Sequence, residues 1–213
     1  MSRAFSRAGF GTMAFLSVGV AGYAAVVYGL LPLGNVVHPD MKVTYNSHSL
    51  GIYTHVFGAL FALLLGPWQF STRLRAARPT LHRWMGRAYL AIGVFVGGLA
   101  GLYMAFHAFG GIVAQSGFGL LAVLWLYTGM RAYSAIRKGD VTSHRRWMVR
   151  NFALSFAAVT LRLWLPGSVA SGIAFEVAYP VIAWACWVPN LIVAELAFNR
   201  TTGAAMQGAQ ASP

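Results

Sequence analysis

The stretch that decides the fold is His82-Arg83-Trp84-Met85-Gly86-Arg87, which returns 62 residues later as His144-Arg145-Arg146-Trp147-Met148-Val149-Arg150. Each copy stands where a basic loop runs into a long apolar segment. A shift of 61 to 62 residues also lays Phe57-Gly58-Ala59-Leu60 over Phe118-Gly119-Leu120-Leu121. The repeat predicts a unit of helix, basic loop, His-Arg cluster and helix that the chain uses twice. The alternative is two unrelated clusters whose long basic side chains reach toward lipid headgroups.

The composition is typical of a multi-pass membrane protein. Of the 213 residues, 58% are hydrophobic, 14% are aromatic and only 9% are charged, whereas roughly a quarter of the residues in a soluble domain carry a charge. In a soluble protein the net charge of +12 would suggest a nucleic-acid partner. The long apolar runs exclude that class, and we expect no nucleic-acid partner.

Six apolar segments are long enough to cross a bilayer. They lie at 8–33, 50–67, 82–107, 117–133, 142–167 and 174–198. Thr80 is a candidate N-cap for the third helix, and Thr142 or Ser143 for the fifth. The sequence therefore predicts an all-α protein with one six-helix transmembrane domain over 1–200 and a disordered tail at 201–213. Helices 2–3 and 4–5 would be the duplicated hairpins.

The positions of the basic residues predict how the protein sits in the membrane. Fourteen of the sixteen Lys and Arg residues lie near the termini or around the loops after helices two and four, and only Lys42 and Arg162 lie elsewhere. Positively charged loops stay in the cytoplasm. An even number of spans puts both termini on one side. We therefore expect a protein of the bacterial inner membrane with both termini cytoplasmic.

The histidines fall into two pairs by depth. His82 and His144 each begin a helix at the predicted cytoplasmic face, while His55 and His107 lie near outer helix ends. The 25 residues from His82 to His107 correspond to about 37 Å of helix, which is the thickness of a bilayer with part of its headgroups. His38 and His48 are expected to be solvated loop residues.

Two imidazoles from different helices at one depth are the ligands that a b-type haem needs. His82 and His144 are thus the first candidates for haem iron, and His55 with His107 is a weaker second pair for haem or metal. Arginines neutralise haem propionates. Those available beside the first pair are Arg83, Arg87, Arg145, Arg146 and Arg150.

Three further charged residues are candidates for structural ion pairs. Arg162 would pair with Glu176 or, less readily, with an anionic ligand headgroup. Glu195 follows Pro189-Asn190 in the last helix and would pair with one of the arginines Arg83, Arg87, Arg146 or Arg150, which lowers the cost of burying its charge.

Four stretches resemble the bacterial DUF2306 family of predicted membrane proteins. They are residues 55–70, 79–87, 144–150 and 187–195, and the resemblance covers about 50–197. It implies a multi-pass fold and no particular function. A more distant similarity is to the cytochrome b561 and ferric-reductase-like haem proteins, six-helix bundles with four histidines. This chain differs from them because His82 and His144 stand at helix starts.

Haem-b electron transfer with bis-histidine ligation is the most concrete function that the sequence suggests, with a quinone or a partner complex exchanging electrons. A second interpretation is a non-catalytic accessory subunit of a larger respiratory or photosynthetic complex, or a homo-oligomer, with arginine clusters that bind membrane lipids. A third is a small-molecule transporter. No nucleotide-binding loop or catalytic triad indicates a conventional hydrolase or kinase.

Overall fold

The structure is a computed structural model that describes residues 7–196. Eight helices account for most of this range: α1 Arg7–Leu30, α2 Pro39–Ser47, α3 Ser49–Gln69, α4 Thr72–Ala77, α5 Pro79–Ala105, α6 Gly111–Arg137, α7 Val141–Ala170 and α8 Phe175–Leu196. Residues 7–196 contain no strand. Six of the helices, α1, α3 and α5 to α8, are long and apolar enough to cross a membrane. The prediction of six spanning helices is confirmed, whereas the predicted tail at 201–213 lies outside the described residues.

The helix starts differ from the sequence prediction in their caps. α5 begins at Pro79, a residue whose fixed φ suits the first helical position, so Arg78 and not Thr80 occupies the cap. α7 is capped by Asp140, whose carboxylate accepts a hydrogen bond of 2.9 Å from the Ser143 backbone N–H. Hydrogen bonds from Ser143 lower the pKa of this carboxyl.

Two short helices lie within the loops that connect the spanning helices. α2 lies in the loop after the first span, and α4 lies in the basic loop after α3. The Ser71 hydroxyl caps α4 by accepting from the Leu74 N–H at 3.2 Å. α6 begins at Gly111, six positions before its predicted start, because Gly110 in the left-handed conformation reverses the chain there.

The helices form a bundle in which α3 packs between α1 and α5, α6 packs between α5 and α7, and α8 packs on α6 and on the second half of α7. Phe10 in α1 meets Trp68 at the end of α3, and Arg150 in α7 meets Glu195 at the end of α8. The start of α1, the end of α8 and both basic loops therefore share one end of the bundle. We call it the basic end and the opposite one the distal end.

α5 is a continuous helix with a π-helical segment at Tyr89–Val96 in its middle. Glycine lets α3 approach it closely, since a Cβ on Gly58 would lie 2.5 Å from Gly97 Cα. Gly93 likewise faces Ala62, 3.0 Å from where its Cβ would be. Gly93 and Gly97 of this helix thus make the contact with α3, as is common for small residues in membrane bundles. α7 is interrupted at Phe156, where the chain makes one tight turn.

Candidate functional site

The fold brings His82 and His144 into one cluster at the basic end. Each lies near the start of its helix, α5 or α7, and both are half-buried. The two rings are close enough to interact electrostatically, yet neither a hydrogen bond nor a ring contact joins these two described residues. Two imidazoles from the starts of different helices therefore lie near each other without a direct contact.

Hydrogen bonding fixes the protonation pattern of one ring. Nδ1 of His144 lies 2.9 Å from the Ala132 carbonyl oxygen in α6. A carbonyl oxygen only accepts a hydrogen bond, so Nδ1 carries the hydrogen and Nε2 is left available to bind another group. Nδ1 of His82 is buried and has no hydrogen-bond partner. A buried polar atom without a partner is rare in folded proteins and indicates that another group meets it.

Two guanidinium groups belong to this cluster: that of Arg75, which interacts electrostatically with His82, and that of Arg145, which interacts with Arg75. Arg75, in α4, donates to the Gln69 carbonyl oxygen at 2.9 Å, and it interacts electrostatically with His82. Burial and the neighbouring Arg145 lower the pKa of Arg75. The cluster of two imidazoles and two guanidinium groups contains no carboxylate partner in the described part of the chain, so it would attract an anionic group.

The other arginines that the sequence placed here have different environments. Arg83, Arg87 and Arg146 are exposed. Arg87 lies over the ring of Trp84, 4.9 Å from its centroid, and Trp84 is 62% exposed. These side chains face away from the bundle, where a basic and aromatic pair suits the headgroup level of a membrane.

Glu195 pairs with one of the four arginines named for it. Arg150 donates Nε to Oε1 and a terminal nitrogen to Oε2, the latter at 2.7 Å. Arg150 also lies 4.8 Å from the Trp147 ring centroid. The bidentate geometry ties the end of α8 to α7. Arg150 is therefore engaged in the fold.

The pairing expected between Arg162 and Glu176 is not formed. Glu176 Oε1 lies 3.8 Å from His38 Nε2, and His38 Nδ1 lies 3.6 Å from Asp40. His38 reaches these groups because its ring stacks on Phe175 at 4.2 Å, so it is not a simple solvated loop residue. The ligand atoms of the three polar residues lie within 4.8 Å of one another, close enough to share a cation.

A buried hydrogen-bond network, which the sequence did not reveal, lies deeper in the bundle. The Tyr89 hydroxyl donates to Asn151 Oδ1 at 2.7 Å and lies 2.9 Å from Ser155 Oγ. Ser155 accepts from Trp125 Nε1 at 2.8 Å, and Asn151 Nδ2 donates to Thr128 Oγ1 at 2.8 Å. Tyr89 and Asn151 are 62 positions apart, the offset of the sequence repeat. That offset was the available signal for this contact.

The second histidine pair is not assembled. His107 stacks on His48, with ring centroids 3.9 Å apart, and both lie against Tyr103. His55 Nδ1 instead lies 2.9 Å from the Gly97 carbonyl oxygen. His55 and His107 line the same cavity at the distal end, but no bond or ring contact joins these two described residues.

Most residues of the two histidine clusters lie in a segment that matches a known protein family. The profile of a family described as predicted membrane protein (DUF2306) matches residues 52–198. The chain belongs to the DUF2306 family. The match includes His55, His82, His107 and His144 and the ion pair of Glu195. None of the curated proteins and none of the solved structures matches the chain. Membership of the DUF2306 family agrees with the membrane fold but specifies no function. The function is therefore inferred from the geometry of the site.

Proposed function

We propose that this protein is an integral membrane haem protein in which His82 and His144 ligate the iron of one b-type haem. The observation that supports the proposal is that these two histidines, from equivalent positions of the repeat, lie close enough to interact electrostatically and have no bond between their rings. Two imidazoles from different helices would hold the iron of such a group.

The residues around the pair fit such a group. An axial histidine usually donates its other ring nitrogen to a backbone carbonyl, which fixes the tautomer and orients the ring, and His144 donates in this way to Ala132. Arg75 and Arg145 lie on the same side of the bundle and have no carboxylate partner among the described residues. They would neutralise the two propionates. Arg145 was among the arginines predicted for that role and, like Arg83, Arg87 and Arg146, it is exposed, whereas Arg150 is paired with Glu195.

Bound haem would supply one-electron oxidation and reduction close to one membrane surface. By the distribution of positive charge, that surface is the cytoplasmic face of the bacterial inner membrane. The chain's contribution is to hold the two rings and to place cationic groups beside them. A membrane quinone or a redox partner protein would exchange electrons with such a site.

The alternative is a non-catalytic accessory protein whose basic end binds lipid. The exposed Trp84 with Arg87 over its ring supports it, since such pairs lie at the headgroup level. In that case each histidine acts at its own helix end, and changes at His82 and His144 have small, additive effects on stability. The protein would then be colourless.

The test is the haem content per chain of the detergent-purified protein, produced in a haem-replete host and recorded with a reduced-minus-oxidised spectrum. We expect a sharp α-band in the parent, and its loss in both His82→Ala and His144→Ala, because bis-imidazole ligation needs both rings. His38→Ala, at the distal end, is the control and should retain haem. Full haem retention in both single variants would exclude the proposed site.

A further inference from the structure

The distal end contains a cavity of about 630 Å³ whose size suits one small-molecule ligand. α1, α3, α5 and α7 contribute to its wall, and the short helix α2 lies across it. Most of the lining is apolar, as with Val56, Met104 and Leu161. Polar side chains interrupt it, among them those of His55, Arg162, Tyr28, Tyr45, Tyr179 and Asp40.

Arg162 is a cation in this cavity that forms no ion pair, although Asp40 also lines the wall and is paired with His38. It stands eight residues before the end of α7, about 12 Å along the helix. Its guanidinium donates to the Ala158 carbonyl oxygen at 3.0 Å and lies 5.6 Å from the Tyr23 ring centroid. All four carboxylate side chains of the chain are described, and none forms an ion pair with Arg162. An unpaired charge at this depth is costly, which indicates an anionic partner.

The other polar groups converge on the same place. Arg162 interacts electrostatically with His55 and with the hydroxyls of Tyr28, Tyr45 and Tyr179. Burial raises the pKa of Tyr45, and its hydroxyl shares a hydrogen bond with that of Tyr28. A ligand headgroup beside Arg162 would therefore meet several donors at once.

His55 is held in place by a cradle of glycines. Its Nδ1 donates to the Gly97 carbonyl oxygen at 2.9 Å, which leaves Nε2 for a ligand. A Cβ on Gly101 would lie 2.5 Å from that same Nδ1, so only glycine leaves room for the ring. The ring is thus fixed by the backbone of α5.

We propose that the distal cavity binds an amphipathic monocarboxylate of the fatty-acid class, with its carboxylate on Arg162 and its single apolar chain among Val56, Met104 and Leu161. One guanidinium matches one carboxylate in charge and in bidentate geometry. The cavity accommodates one chain and not a two-chain phospholipid. This proposal does not depend on haem at His82 and His144.

Equilibrium binding of radiolabelled palmitate to the full-length protein in dodecyl maltoside tests the proposal. Hexadecanol, which has the same chain without the charge, is the matched probe. We expect one saturable palmitate site, with affinity at least about tenfold above that for hexadecanol, because hydrogen bonds to a charged group contribute that much. Equal affinities for palmitate and hexadecanol would overturn the assignment of the headgroup.

Variants of the chain identify the site. Arg162→Gln should weaken palmitate binding about tenfold or more, while Arg131→Gln, an exposed arginine on α6 that stacks on Tyr127, should leave it unchanged. If Arg162→Gln does not fold, Ala59→Phe fills the cavity without touching the charge and should abolish binding. Unchanged binding in either folded variant would overturn the proposal. Haem that copurifies with the parent and is lost in Arg162→Gln but kept in His82→Ala would show that haem is the occupant of the cavity instead.

Discussion

Tyr89→Phe removes a single hydroxyl from the buried network and gives the sharpest test of the bundle interior. The hydroxyl makes contacts of 2.7 Å with Asn151 and 2.9 Å with Ser155. Side-chain hydrogen bonds in membrane proteins contribute about 0.6 kcal/mol on average and about 1.7 at most. We therefore expect Tyr89→Phe to lower the free energy of unfolding by about 1.2 kcal/mol.

Asn151→Leu is the partner change, because Asn151 also donates to the Trp125 carbonyl oxygen at 2.7 Å and to Thr128 at 2.8 Å. Three lost bonds predict a cost of about 1.8 kcal/mol. Both variants lose the hydrogen bond between Tyr89 and Asn151, so adding the two single effects counts this bond twice. The double variant should therefore lose about 2.4 kcal/mol and not the additive 3.0 or so.

The assay is reversible unfolding by sodium dodecyl sulfate in dodecyl maltoside micelles, followed by far-ultraviolet circular dichroism. Tyr133→Phe is the matched control, since Tyr133 is 44% exposed and its ring keeps the contact with Arg137. We expect that control to stay within about 0.5 kcal/mol of the parent. Strict additivity in the double variant, or a Tyr89→Phe protein as stable as Tyr133→Phe, would refute the reasoning.

Three further predictions concern the fold. Gly58→Ala should destabilise the protein by about 1–3 kcal/mol in the same assay, because the new Cβ meets the α5 backbone. Gly19→Ala is the control and should destabilise the protein less, because nothing lies within 4 Å of the added Cβ. Glu195→Ala should lower the melting temperature in detergent more than Glu195→Gln, which keeps a hydrogen-bond acceptor for its arginine; equal melting would contradict the ion pair. Cysteine placed at Arg75 should resist an impermeant thiol reagent added outside intact cells while cysteine at Asn46 reacts, and the reverse pattern would contradict the topology.

The spanning helices were predictable because length and hydropathy decide them directly. A run of twenty apolar residues has few alternatives in a membrane. The meeting of His82 and His144 was predictable for a different reason, since a repeat puts equivalent residues in equivalent places. The first residues of the helices were harder to predict from the sequence, because the cap depends on the local backbone geometry around Pro79 and Asp140.

The distal end could not be derived from the sequence in the same way. The partner of Glu176 depends on how far the loop before α2 carries His38, which is a matter of chain path and not of spacing. The interruption of α7 at Phe156 likewise decides which helices Arg162 faces. In the sequence, Asn151 and Ser155 are single polar residues within an apolar run. Only tertiary packing brings them to Tyr89.

The π-helical segment of α5 has a consequence for how the two ends of the molecule are linked. One residue added to or removed from a helix turns everything beyond it by about 100° around the axis. Loss of one residue between positions 89 and 96 would leave His82 in place and swing Gly97 and Gly101 away from His55. The equivalent interval in the second repeat, 151–158, contains the tight turn at Phe156. α5 and α7 thus each contain an irregular segment near the middle of the helix. The rotation that this segment introduces determines which residues beyond it point into the bundle.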